Sequence, residues 1–182
     1  IKPCLPSKVF RPPSGPLWVH EIKHDGYRLM VRRDGERVRC FTRGGYDWAK
    51  RFPPIVGAAL HLKAQSFLID GEAVIARDDG TPDFHALRSK RRGSEVVLFA
   101  FDLLELEGED LSDLPLIERK RRLAKLIGKS QRRAIRFVEH LTGVTARQSS
   151  ITSAAWGWKA SSWKRTRPIA VDHRGHGSSR RT

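Results

Sequence analysis

The sequence predicts an α+β fold built on antiparallel strands, and three observations carry that reading. Strand patterns outnumber helical ones, and successive strands are joined by hairpin signals rather than by helices. One long apolar segment, Val96–Leu106, has the composition of a strand buried at the centre of a sheet.

The elements follow in order. Residues 1–17 contain five prolines and read as an extended lead-in. Trp18–Lys23 and Arg28–Arg33 alternate like strands, Asp34-Gly35 signals a hairpin, and Arg37–Thr42 supplies the returning strand. Pro53-Pro54 opens a helix, because Ile55, Val56, Ala59, Leu60 and Leu62 recur at helical spacing. Phe67–Asp70 and Glu72–Arg77 read as two short strands joined around Gly71. Asp78-Asp79-Gly80 then turns the chain into a short helix near Asp83–Lys90. After Val96–Leu106, Asp113 and Pro115 start a helix whose apolar face holds Leu116, Leu123, Leu126 and Ile127. Ile135–Val138 is one more strand. Residues 18–143 thus form one domain.

Residues 144–182 behave differently, with no sustained period of either kind. They hold three of the five tryptophans and eight Lys/Arg against one acid. The whole chain of 182 residues carries a formal net charge of +15, which points to a polyanionic partner. The basic runs 88–92 and 119–122 join no strong apolar face, so nucleic acid is favoured over a membrane. Taken as helix surface, both runs read as solvated faces, with contact to DNA phosphates as the alternative. No apolar run approaches a membrane span of ~18 residues. Cys4 and Cys40 follow no metal spacing and read as free thiols of a reducing, cytoplasmic compartment.

The chemistry concentrates in Glu21-Ile22-Lys23-His24-Asp25-Gly26-Tyr27-Arg28. A lysine becomes nucleophilic when burial and neighbouring positive charge lower its pKa from about 10.4. Lys23 has such neighbours in Arg28 and His24. Four further segments follow in order: Thr42-Arg43-Gly44-Gly45, Asp70-Gly71-Glu72, Asp83-Phe84 and Phe101-Asp102-Leu103-Leu104. Read singly, Glu72 also fits a hairpin carboxylate, Phe101 a core side chain, and Arg43 the flank of a turn. His24, His61 and His85 read as surface histidines.

Together, in this order and spacing, the five segments resemble the covalent nucleotidyltransferases. They most resemble the adenylation domain of the bacterial ATP-dependent DNA ligases of end joining, the ligase D type. The resemblance runs over residues 3–143 and implies an antiparallel-sheet nucleotidyltransferase domain of ATP-grasp-like DNA ligase type. It implies that Lys23 attacks the α-phosphorus of ATP and holds AMP through a phosphoamide bond. Glu21 would help recognise adenine, and Phe101 would stack on it. Arg28 and Arg43 would bind ribose or phosphate and later the 5′-phosphate of nicked DNA. Glu72 would contact the ribose or a metal-bound water, with Mg²⁺ as the ion. The implied partners are nicked or broken double-stranded DNA and end-joining proteins, and the implied state is a bacterial cytoplasmic monomer with no membrane contact.

The sequence also departs from that family. The strand E-G-[IV]-V-x-K, whose glutamate binds metal, and the W-L-K-x-K strand, whose lysines hold phosphates, are missing, as is the OB-fold domain. The expected domain is therefore incomplete at its C-terminus. Codons permissible for Gly157–Ser162, read one base back, give G-L-E-G-I-V. The same frame can give P-Y-R-S-G-P-S from Pro168–Arg174 and R-P-W-L-K-S from Gly175–Arg180. These readings imply that 144–182 is a frameshifted tail, and that the chain is weakly active or inactive and marginally stable, with apolar edges of Val96–Leu106 exposed. Two other readings remain open. One is a different lysyl-nucleotidyltransferase, an RNA ligase or a GTP-using capping enzyme, which nucleotide preference would separate. The other is a non-catalytic nucleic-acid-binding remnant, whose DNA binding would survive Lys23→Ala.

Overall fold

Alternation along Tyr27–Asp34 (β2) sorts its side chains onto two faces, with Leu29, Val31 and Arg33 buried and Arg32 exposed. This strand sits between Arg37–Thr42 (β3) and Ser66–Val74 (β4), and all of these pairings are antiparallel. The computed structural model describes residues 19–21, 24–77, 81–128 and 134–142. Beyond β4 come Val97–Leu106 (β5) and the short Glu109–Asp110 (β6), giving the order β3-β2-β4-β5-β6. Ile135–Phe137 (β7) pairs with β5 in parallel, the one parallel pairing among the described residues. A separate two-stranded sheet joins Val19–Glu21 (β1) to His140–Thr142 (β8), with Glu21 opposite His140.

One face of the large sheet is the core. Leu29, Val31, Phe67, Ile69, Ala73, Leu98, Ala100 and Leu103 bury against Ile55 and Ala59 of Pro53–Leu60 (α1). Leu123 and Ile127 of Leu116–Ile127 (α3) join the same cluster. Arg33 points into this face rather than away from it. Its guanidinium donates to the carbonyls of Ala59, Leu60 and Leu62, satisfying acceptors that the end of α1 leaves open.

Several expectations are corrected. The two short strands predicted around Gly71 are one continuous strand, β4. Gly71 does not turn the chain there; it permits close approach, since a Cβ would lie 2.8 Å from the Phe99 carbonyl oxygen. The short helix near residue 83 is Phe84–Arg88 (α2), with the Asp83 side chain accepting from the Ala86 N–H as an N-cap. The run 119–122 is not a wholly solvated face: Arg119 and Lys120 are buried, the latter completely. Nor is the edge of β5 left bare. The β7 and β6 strands cover its two ends, while between them the Val138 N–H donates to Ala100, Lys120 Nζ to Phe101, and the Leu111 N–H to Leu104. Expectations for residues 1–17, Lys23 and the tail 144–182 lie outside the described residues.

Candidate functional site

The sheet face opposite the core carries the polar side chains of β2 and β4. Arg28, Met30 and Arg32 stand in one row, and Leu68, Asp70 and Glu72 in the next, as alternate positions of paired strands must. Arg28 is opposite Glu72 in register, but its guanidinium is held by Asp70, with Nε at 3.0 Å and Nη2 at 2.5 Å from the two carboxylate oxygens. This fork-to-carboxylate pair is partly buried and geometrically specific. The same guanidinium lies 5.5 Å from the centre of the Phe101 ring, within cation–π range. Two of the predicted residues, Arg28 and Phe101, are thus brought together, with Asp70 as an organiser the sequence reading did not assign.

Glu21 is buried at the end of β1 and forms an ion pair with Lys120 of α3. Lys120 Nζ also donates to the Phe101 carbonyl oxygen at 2.8 Å. The small sheet, the large sheet and α3 therefore meet at one ammonium group. Next to it, Arg119 grips Asp102 through two hydrogen bonds of 2.8 and 2.9 Å and donates to the Leu114 carbonyl. The basic run 119–122 gave a signal for positive charge, but the inward direction of its first two members is set by the phase of α3, which charge alone does not reveal.

After Lys23 the chain passes very close to β4. A Cβ on Gly26 would lie 2.1 Å from the Ala73 carbonyl oxygen, so the glycine is required by this contact. His24 is half-buried and stacks on Phe99 at 3.8 Å between ring centres, 13° from parallel. This differs from the surface position expected of it, and Phe99 was not singled out. His61 and His85 are exposed as expected.

Two openings flank these residues. Arg28, Met30, Arg32, Phe41, Thr42 and Arg43 line one of about 370 Å³. Arg43 is exposed in the turn after β3, so this pocket gathers three arginines over an apolar floor. Arg32 is paired with Glu105 at 3.3 Å. The second opening, about 490 Å³, is lined by Asp25, Gly26, Glu72, Pro82 and Phe84. Its donors, Asp25 and Glu72, are hard carboxylate oxygens. These suit a Mg²⁺ ion, which commonly takes one or two carboxylates and keeps several waters. Among the described residues no group of three or more potential metal ligands occurs, so Glu72 fits the ion through water and substrate oxygens rather than as part of an all-protein cage. Lys23 itself lies outside the described residues.

The electrostatics around the site follow from burial. His20 and His140 have pKa values below the ordinary histidine range, because burial disfavours their charged forms and Lys120 adds repulsion at His140. Cys40 is a buried free thiol whose pKa is pushed up to about 12 by burial and by Asp47.

Comparison with known proteins gives consistent matches. The family model described as ATP dependent DNA ligase domain matches residues 5–153. The multifunctional non-homologous end joining protein LigD of Pseudomonas aeruginosa is 42% identical over 140 residues, covering 75% of this chain and 16% of that protein. A probable DNA ligase of Streptomyces griseus is 40% identical over 124 residues, covering 62% of this chain and 24% of that protein. Among solved structures, mycobacterial DNA ligase D complexed with ATP and MES superposes with a TM-score of 0.65 at 28% identity, covering 80% of this chain and 47% of that one. The ligase domain of M. tuberculosis LigD gives 0.64 at 30% identity, covering 78% and 46%. The chain spans less than a quarter of these curated relatives and just under half of the solved ligase chains. No described helix is long and apolar enough to cross a membrane.

Proposed function

Since the chain belongs to the ATP-dependent DNA ligase family, as an adenylation domain of the LigD type, we propose that it transfers AMP from ATP to Lys23. The lysine amine attacks the α-phosphorus, forming a nitrogen–phosphorus bond as the bond to pyrophosphate breaks, and the amine gives up its proton. Transfer of this kind needs an aligned nucleophile and fixed charge more than elaborate covalent machinery.

The observation that best supports this reading is that Phe101 has two of the predicted residues about it: Lys120 ties its carbonyl to Glu21, and its ring lies beneath Arg28, which Asp70 holds. Their spacing in sequence gives no reason for Glu21 and Arg28 both to be placed about Phe101, whereas one nucleotide site does. In the proposed roles Glu21 and Phe101 take the adenine, and Arg28 the ribose or phosphates. Arg43 first meets phosphate and then the 5′-phosphate of broken double-stranded DNA. Glu72 holds the ribose or a water on Mg²⁺. The ion, when bound, neutralises triphosphate charge.

Full ligation would need further elements, and the absence of E-G-[IV]-V-x-K and W-L-K-x-K segments from the sequence motivates a second part of the proposal. This chain forms lysyl-AMP slowly, because losing preorganised charge on the phosphates typically costs on the order of 10²-fold or more. Nick sealing in DNA end joining, the reaction the adenylate serves, is impaired with it. The test is incubation with α-labelled ATP and Mg²⁺, followed by acid and alkali treatment of the labelled protein. A phosphoamide is acid-labile and alkali-stable, and the label should be lost in Lys23→Ala. Labelling that persists in Lys23→Ala contradicts the assignment.

A further inference from the structure

Lys120 is fully buried, and it touches both Glu21 and the backbone of Phe101. A buried ammonium is costly unless it is paired and its donors are used. Here one donor serves the Glu21 carboxylate and another the Phe101 carbonyl, while the Phe137 ring lies 5.5 Å from Nζ. His140, opposite Glu21 in the β1–β8 ladder, has its pKa lowered by burial and by the charge of Lys120. Glu118, Arg121 and Glu139 line the adjoining pocket with Lys120, and the Arg119–Asp102 pair lies next to it in sequence. Within this cluster Lys120 is a buried counter-ion of the Glu21 carboxylate, fixed to the main sheet by a backbone bond.

We propose that Lys120 is a positioning residue for base selection: it holds Glu21 in place as a hydrogen-bond acceptor toward the purine edge. Paired with an ammonium, Glu21 offers acceptors only. A six-amino purine presents a donor there, whereas a six-oxo purine presents an acceptor and is repelled. The same lysine fixes the Phe101 carbonyl, so the stacking residue and the edge-reading residue keep one relative position. The selected substrate class is an adenosine 5′-triphosphate over a guanosine 5′-triphosphate. This rests on the assignment of the nucleotide site to Glu21 and Phe101.

The test is equilibrium titration of MgATP and MgGTP on the full chain and on Lys120→Met, Glu21→Gln and the double variant. The unmodified chain should prefer ATP by at least about tenfold, the scale of one hydrogen bond to a charged group. Each variant should bring the ratio to within about threefold of unity, and the double variant should do no worse than either single one, since the pair acts as a unit. A purely supporting role would weaken both nucleotides equally and leave the ratio intact, and that result overturns the proposal. If Lys120→Met fails to fold, the double variant decides, because it leaves neither charge alone in the interior. Loss of ATP preference in the unmodified chain would instead overturn the nucleotide-site assignment, and with it this inference.

Discussion

Arg28 faces Glu72 across the β2–β4 ladder, yet its guanidinium reaches along the strand to Asp70 and is held there by both carboxylate oxygens. This leaves Glu72 on the Asp25 side, lining the second opening, and fixes Arg28 over Phe101. Asp70→Asn should therefore act through Arg28. It keeps the shape but removes the charge, so the expected loss is about 1–3 kcal/mol of stability, the range for a part-buried polar partner. Chemical denaturation measures it, and ATP affinity should fall with it. Unchanged stability and affinity would show the pair to be incidental.

Gly26 and Gly71 are both places where another backbone comes too close for a side chain. Gly71→Ala should push β4 from β5 at a cost of about 1–3 kcal/mol, the usual range for overpacking. Gly26→Ala meets a nearer carbonyl and should cost more, displacing the segment next to Lys23. Thermal melts of both variants, with Gly35→Ala as a comparison, check the order. At Gly35 a Cβ meets nothing within 4 Å, but φ is +57°, so its cost comes from backbone strain alone.

Cys40 should be inert in the folded chain. Its thiol, at about 12, holds almost no thiolate at pH 8, and it is completely buried. In a Cys4→Ser background, a maleimide should label nothing at pH 8 in native buffer and label Cys40 once guanidinium unfolds the chain. Rapid native labelling would contradict the packing of β3 against the core.

Stability should fall on mild acidification. His20 and His140 have folded pKa values below 6.5, so the unfolded chain binds more protons once the pH drops under that value. Their contribution is complete above about pH 6.5 and is lost progressively as pH falls from there toward the folded values. Melting temperature measured from pH 8 to pH 5 should be flat at first and then decline. Replacing His140 with Phe should flatten part of that decline.

Much of the fold was legible in the sequence because its signals were local. Alternation placed β2 and β3, proline placed α1, and the apolar run placed β5. The misreadings share a different cause. Gly71 punctuates a sequence, but here it serves a close packing contact that no local pattern displays. The strands β6 and β8 are too short to alternate. For the site, five segments in register proposed Glu21, Arg28, Arg43, Glu72 and Phe101. Asp70 and Lys120 were missed because they act through other side chains, at sequence distances of 42 and 99 residues. A charge run such as 119–122 reports how many cations there are and not which of them point inward.

The frame proposal has its own check in the coding DNA. Codons 144–182, read one base back, should encode G-L-E-G-I-V over the stretch that now reads Gly157–Ser162. Codons that encode something else in that frame would remove this explanation for the tail.

The central claim is that Lys23 accepts AMP from ATP, and peptide mass mapping after incubation with MgATP tests it most directly. The account predicts a slow, acid-labile adenylate on the peptide containing Lys23, displaced by added pyrophosphate and absent in Lys23→Ala. An adenylate on any other residue, or none after prolonged incubation of chain that still binds ATP, would contradict it.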